Sequence, residues 1–568
     1  MITGMTAGVR EKPRESVRPR TPRRLPLPTL LALLVGFAGV GHRLALLFAD
    51  VPPTNSDEAT MGLAALHVAR GDGFPVWFYG QAYMGTLEAY LAAPLVALAG
   101  PSVLVLRLPT LALYALFLLL SWRLTRRLGG DRWYALLVVA VLALGSDRVV
   151  KNQLIAGGGY PELNPAGAAL ALLTVGLCVT GAGARLPRWA AWGLVSGVLL
   201  WVDPLILPYV LTLGVLLVAW RWRELAGRAG VVLAGTLLLG AAPMLADSIR
   251  HGRNPVAAVL AAGGTGAPAD WADRLHGALV LGPPLAMGFC SPGRCATWQL
   301  WWAVAFPVLL VLAALTAWHA LRPGGPGSAE RVSAGVRLAL LGGAAGVLGA
   351  YAVSNAAGQT PIESSRYLSC LAVAVPALFW PLWQAARRLT GLRKFAEVAV
   401  SEESGYRHLP EVESIKATGG RAAGRRARVA GAGALAVLAG VLGTGAAATV
   451  DVVRTAPAVH AEADRHRSLV DTLGALDVRN VRGGYWTCNR LTYATGENVL
   501  CAVVDDDLSP GFDRLPAYRR EVAADPDAAW VAPAGSPLAA RLDERVGAES
   551  GALDVVTVAG WRIYLPRR

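Results

Sequence analysis

The feature that most constrains this chain is a series of apolar blocks, each long enough to cross a bilayer. About 20 helical residues, rising 1.5 Å each, span the roughly 30 Å of hydrocarbon, and a helix pairs every backbone N–H and C=O internally, as lipid requires. Such blocks run approximately over residues 26–48, 102–122, 132–146, 164–182, 188–202, 204–221, 229–248, 298–320, 335–355, 367–386 and 428–449. With 54% hydrophobic and 16% charged residues over 568 positions, the chain belongs with membrane proteins. A mainly α, polytopic bundle of about eleven spans is expected. Two short spans or one kinked helix at Asp203-Pro204 are the alternatives that decide the count.

A net charge of +14 invites a nucleic-acid reading, but the positions of the basic residues argue against it. Arg10 to Arg24 precede the first block, Arg123 to Arg132 fill a short connection, and further sets lie at 185–188, 221–228, 322–337 and 387–428. They alternate with connections poor in Lys and Arg, the positive-inside pattern of a multi-pass protein in the cytoplasmic membrane of a bacterium. The N-terminus is then cytoplasmic, and no small-residue cleavage site follows the first block, which stays as an anchor. Connections 49–101, 147–163, 249–297 and 356–366 fall outside, and so does everything after 450.

Cys290, Cys295, Cys488 and Cys501 all fall in parts placed outside, where two disulfides or four free thiols both fit. Cys178 and Cys370 lie within blocks as packing residues. The expected division is a cytoplasmic basic tail (1–25), a membrane module (26–386), a cytoplasmic connector without helical periodicity (387–427), a last span (428–449) and a small soluble α/β domain (450–568). Strands are expected at 480–486, 498–504, 528–532 and 554–565, with helices at 461–475 and 536–546. Tyr485-Trp486 and the run Trp561 to Tyr564 would lie on those strands, as packing residues or as platforms for a sugar.

The first external connection begins Asn55-Ser56-Asp57-Glu58. Ser56 or Asp57 can cap a short helix whose Met61, Ala64, Ala65 and Val68 share a face. Next come Gly71-Asp72-Gly73-Phe74, the run Tyr79-Gly80-Gln81-Ala82-Tyr83-Met84-Gly85, Glu88-Ala89-Tyr90 and Arg107-Leu108-Pro109; Ser365-Arg366-Tyr367-Leu368 opens a late block. On these residues the chain resembles the GT-C membrane glycosyltransferases, in particular bacterial relatives of the protein O-mannosyltransferases and the lipid A aminoarabinose transferase. The resemblance is carried by residues 25–130 and, beyond them, by the Arg366-Tyr367 pair.

The resemblance implies an inverting glycosyltransferase that moves a sugar from a polyprenyl-phosphate carrier to an envelope glycan, lipid or protein. It implies Asp57 as general base, with Glu58 as its neighbour for orientation or acceptor binding. Charge building on a lipid phosphate calls for cations, and Arg366, with Tyr367 beside it, then Arg107 and Lys151 are the candidates. Tyr79, Gln81, Tyr83, Glu88, Tyr160 and Glu162 are candidate acceptor contacts. The stretch Gly157-Gly158-Gly159 before Tyr160 reads either as cleft lining or as a flexible turn, and a divalent metal stays open with Glu162 as its candidate ligand. Snorkelling interfacial cations are the plain alternative for the basic residues.

Two other classes compete: a transporter or lipid-linked-sugar flippase, and a noncatalytic glycan-binding envelope protein. No half-to-half repeat favours the first, and so many spans exceed what an anchor needs. Asp505-Asp506-Asp507 reads as a solvated loop, the glycines at 342–349 and 431–433 as helix packing, and neither a zinc pattern nor a Gly-x-Ser-x-Gly signature occurs.

Overall fold

The computed structural model describes residues 25–179, 185–261, 267–322, 328–390, 421–548 and 553–567. The basic tail up to residue 24 and connector residues 391–420 lie outside these. The ends of the expected connector are helical: the Trp380–Thr390 helix runs into it and the Arg421–Ala475 helix begins within it.

By length and hydropathy seven described helices can each cross a membrane: Leu27–Phe48, Val103–Arg127, Pro204–Leu225, Thr297–Leu321, Ala329–Val353, Pro361–Leu389 and Arg428–Ala475. Two bent pairs raise this to nine, Arg132–Ala143 with Asp147–Leu154 at 93° and Arg228–Gly240 with Ala242–His251 at 62°. The other two expected blocks are also helical: Tyr160–Cys178 opens on polar residues, and Leu186–Val202 has 17 residues. At Asp203 the backbone is extended (φ −162°, ψ 125°) and the carboxylate accepts the Leu205 N–H. Two separate helices therefore meet there. The chain is a multi-pass membrane bundle.

Packing, with no water to expel between helices in lipid, holds such a bundle. Gly197 and Gly240 let the Leu186–Val202 and Arg228–Gly240 helices touch by backbone: a Cβ on Gly197 would lie 2.1 Å from the Leu237 carbonyl. Trp302 is fully buried, edge-to-face with Phe289, Phe306 and Phe379 at 5.0–6.0 Å between centroids.

Four helices position the site: α1 (Leu27–Phe48), α2 (Ser56–Arg70), α3 (Leu87–Ala99) and α4 (Val103–Arg127). The last helix of membrane-spanning length, Arg421–Ala475, is continuous over 55 residues and brings Leu469 and Leu473 into the core of the soluble domain. A span at 428–449 followed by a separate helix at 461–475 is thus replaced by one element. Residues 450–460 are mostly Ala and Val, which sustain a helix, and Pro457 does not interrupt it.

The soluble sheet has strands β1 (Asn480–Gly483), β2 (Leu500–Val503), β3 (Ala529–Pro533), β4 (Leu553–Val558) and β5 (Trp561–Pro566), in the order β2-β1-β3-β5-β4. β1 pairs in parallel with β2 and β3, whereas β5 is antiparallel to β3 and β4. Two expectations change here. The stretch 554–565 is a hairpin, because Ala559 (φ 45°) and Gly560 (φ 82°) reverse the chain. Tyr485-Trp486 opens the Tyr485–Ala494 helix, since the first strand stops at Gly483. Disulfides join Cys290 to Cys295 and Cys488 to Cys501, the second tying that helix to β2.

Candidate active site

The connection after α1 is organised by a buried ion pair. Asn55 caps α2, its side chain accepting the Glu58 N–H at 2.8 Å, so neither Ser56 nor Asp57 is the cap. Asp57 and Glu58 thereby occupy the first turn, where the helix dipole favours carboxylates. Successive helical residues point about 100° apart, and these two enter different surroundings.

The Glu58 side chain is 0% exposed and receives Arg107 Nε and Nη2 at 2.6 Å each, while Arg107 Nη1 donates to the Pro52 carbonyl at 2.8 Å. This bidentate pair pins α2 to α4. It also corrects two assignments. Arg107 is committed to Glu58 and Pro52 and does not face a phosphate, and Glu58 is sealed away from any acceptor.

Asp57, with 25% of its side chain exposed, is the carboxylate a substrate can reach. Arg366 lies within electrostatic reach of Asp57, Tyr160 and Tyr367, and its guanidinium sits 5.5 Å from the Tyr367 ring centroid. Half-buried Tyr83 is within reach of the same Arg366 and Tyr367. Arg148, which the sequence did not single out, faces Arg366, Glu363 and Tyr160 and donates through Nη2 to the Ile362 carbonyl at 2.8 Å. Buried Nε atoms of Arg148 and Arg366 have no hydrogen-bond partner among the described residues. Arg366, with a donor to spare and Asp57 within its electrostatic reach, is suited to an anionic ligand next to a base, while Arg148 also has the exposed Glu363 near it. Lys151 is paired with Asp147 at 3.3 Å.

The three-glycine stretch is a fixed turn. Gly158 and Gly159 donate their N–H groups to the Glu88 carboxylate at 3.3 and 3.2 Å, and Gly159 has φ +75° with the Val202 side chain 2.7 Å from where a Cβ would stand. Glu88 and Glu162 are buried and lie against each other, which removes both from the acceptor contacts. Two buried carboxyl groups this close repel unless a proton lies between them. Among the described residues no three His, Cys, Asp or Glu side chains converge to hold a metal, so Glu162 lacks a ligand set around it. Tyr79 bonds His67 through its hydroxyl at 2.7 Å, and half-buried Gln81 turns the chain back through an N–H to the Phe78 carbonyl at 2.9 Å.

The soluble domain sits directly on α2. Gly62 packs flat against the Tyr493 ring, Asn489 donates to Thr60 at 2.9 Å, and Tyr493 donates to the Ser102 carbonyl at 3.0 Å. Asp57 Oδ1 accepts from the Tyr485 hydroxyl at 2.6 Å and from Arg514 Nη2 at 2.8 Å. Burial, then the Asp57 charge, push the Tyr485 phenol above its ordinary value, so it stays a donor. The sequence offers Tyr485 as a packed strand aromatic or a sugar platform, not as a partner of Asp57, and Arg514 gives no signal: it is one loop arginine in a basic chain.

Glu497 anchors the same interface, bonded to His67 Nε2 at 2.9 Å and to the Tyr518 hydroxyl at 2.6 Å and paired with Arg70. Burial pushes its carboxyl up, but bonds from His67 and Tyr518 and the neighbouring charges outweigh that and hold it at about 2, against an ordinary 4.5. A lowered carboxyl stabilises the docked state above its ordinary value and loses that contribution as pH falls toward the docked value. Limited pepsin digestion should therefore release the soluble domain faster as pH drops from about 5 to about 3, with a flatter response in Glu497→Gln.

The architecture is a helical membrane bundle, a short-helix connection carrying an acidic pair, and a soluble domain over it. No protein-family model and no curated protein sequence matches the chain. Among solved structures, ArnT from Cupriavidus metallidurans bound to undecaprenyl phosphate aligns with a TM-score of 0.53 at 15% identity, over 95% of this chain and 97% of that one. The same protein in its apo state aligns with a TM-score of 0.53 at 14% identity and the same coverage. This chain shares the overall fold of that protein over 95% of its length. The Archaeoglobus fulgidus oligosaccharyltransferase in its apo form aligns at 0.45 with 12% identity, over 89% of this chain and 69% of that one.

Proposed function

We propose that this chain is an inverting glycosyltransferase of a bacterial cytoplasmic membrane, taking its sugar from a polyprenyl phosphate and giving it to a hydroxyl of an envelope acceptor at the outer face. The observation that carries the reading is Asp57, the part-exposed member of the acidic pair, with Arg366 within electrostatic reach of it beneath the soluble domain. That fold is shared with a protein solved with undecaprenyl phosphate bound.

Asp57 takes the proton of the acceptor hydroxyl as its oxygen attacks the anomeric carbon, and the bond from that carbon to the phosphate oxygen breaks. Polyprenyl phosphate departs with the bonding electrons, and Arg366 faces the charge gathering on its oxygens. One displacement inverts the anomeric centre. The sidedness draws support from the far end of α4, where Arg126 and Arg127 close the helix, Arg337 bonds the Leu128 carbonyl and Arg387 pairs with Asp131. A basic rim on the end away from the soluble domain fits the cytoplasmic side.

The test is acceptor-dependent sugar release from a panel of undecaprenyl-phosphate hexoses and pentoses by purified full-length protein. Asp57→Asn should lose on the order of 10²- to 10⁴-fold in turnover, the usual contribution of a general base. Equal rates for the two proteins would reject Asp57 as the base.

A further inference from the structure

We infer that the soluble domain positions the base through Arg514 and Tyr485, and that without this clamp Asp57 cannot work at full rate. The inference rests on the reading of Asp57 as general base and concerns what holds it in place. Both donors reach the same carboxylate oxygen: Tyr485 Oη and Arg514 Nη2 converge on Oδ1. No described residue donates to Oδ2. A carboxylate pinned by one oxygen keeps a fixed rotamer and offers the other as proton acceptor. Proton transfer demands about 3 Å and alignment, so that fixing has kinetic value.

The clamp is built to hold a guanidinium. Arg514 is 6% exposed and spends each of its three nitrogens separately: Nε on the Tyr485 hydroxyl, Nη1 on the Tyr79 carbonyl at 3.0 Å and Nη2 on Asp57. Its plane is packed by the rings of Phe78 at 4.6 Å and of Tyr485 and Phe512 at 5.6 Å. Lysine has one nitrogen and no plane, and cannot make these three bonds. Tyr485 is fixed from behind as well, since its carbonyl accepts the Ser56 hydroxyl. The clamp therefore joins the bundle connection, through Ser56, Asp57 and Tyr79, to the soluble domain, through Tyr485 and Arg514. Arg514 and Tyr485 are positioning residues, acting through Asp57 and not on the substrate. Glu497 supplies the control, because it docks the domain at the other end of α2, through His67 and Arg70 of the last turn, without touching Asp57.

The experiment compares full-length Arg514→Ala, Arg514→Lys, Tyr485→Phe and Glu497→Gln proteins in nanodiscs, with the undecaprenyl-phosphate sugar panel as donor. Arg514→Ala should lower kcat on the order of 10²-fold with donor KM unchanged, since a misplaced base costs that much while donor contacts stay intact. Arg514→Lys should recover little, and added guanidinium ion should restore part of the Arg514→Ala rate. Tyr485→Phe keeps the ring and removes the hydroxyl alone, so it carries the test if Arg514→Ala proves unstable; about a tenfold loss of kcat, the equivalent of one hydrogen bond, is expected. Glu497→Gln should leave kcat near that of the wild type.

Carbodiimide coupling at Asp57, followed by peptide mass spectrometry, reports the clamp without reference to turnover and should rise in Arg514→Ala. Wild-type kcat in both Arg514→Ala and Tyr485→Phe would overturn the inference, as would losses matched by Glu497→Gln. An Asp57→Asn protein that keeps full activity would instead remove the base reading itself, so the two failures are distinguishable.

Discussion

Arg107→Ala should destabilise the protein by about 3–5 kcal/mol, the usual consequence of removing one partner from a buried ion pair. The remaining Glu58 would be a carboxylate at 0% exposure with no cation, inside the contact between α2 and α4. Uncompensated burial of that kind drives the loss, and the pair's own attraction accounts for less of it. Arg107→Lys should recover only part, because one ammonium cannot bond both Glu58 oxygens and the Pro52 carbonyl as the guanidinium does. The double variant Glu58→Gln with Arg107→Met leaves no buried charge and should melt closer to the wild type than Arg107→Ala does. Thermal unfolding in detergent checks the series. A melting temperature for Arg107→Ala equal to that of the wild type would show that the pair does not hold the connection together. Activity should fall with folding in this series, since α2 also carries Asp57.

That ion pair shows where sequence reading stops. The apolar blocks were legible because bilayer thickness imposes a length on each of them, and all eleven are helical in the structure. Asp57 and Glu58 stand out in the sequence as an adjacent acidic pair just beyond a span. Which of the two stays exposed is not legible there, since adjacent residues on a helix diverge and the answer depends on a partner 49 positions away. Arg107 attracted attention as a cation near the membrane surface, and its burial against Glu58 gave it a different task. Glu88 and Glu162 looked like cleft acids and turned out to face each other behind a glycine turn.

In the soluble domain the expected strands at 480–486, 498–504 and 528–532 overlie β1, β2 and β3, but the turn at Ala559-Gly560 is hidden inside a run that reads as one strand. Tyr485 was expected on a strand, although Gly484 ends the extended segment and a helix follows. Arg514 lies 457 positions from the carboxylate it holds, beyond the reach of any local pattern. Its neighbours Asp513 and Leu515 carry no motif, and only the folded chain brings it to Asp57.

Arg366→Ala should lower turnover on the order of 10²- to 10³-fold, the range for removing one fixed donor from a site where transition-state charge develops. Its signature differs from that of Asp57→Asn. A base variant keeps its grip on the lipid phosphate, whereas loss of Arg366 removes a cation that serves the bound donor as well as the departing phosphate. Undecaprenyl phosphate binding, measured by the ligand's protection against thermal unfolding, should therefore weaken in Arg366→Ala and persist in Asp57→Asn. Arg366→Lys should restore charge without the planar fork and return only part of the rate. Arg148 lies within electrostatic reach of Arg366 with an unpartnered Nε, but it spends Nη2 on the Ile362 carbonyl and has the Glu363 carboxylate near it, so Arg148→Ala should weaken binding less than Arg366→Ala does. If Arg366→Ala binds undecaprenyl phosphate as tightly as the wild type, the phosphate is held elsewhere, and the charge at Arg366 serves Tyr160 and Tyr367 as a packing group.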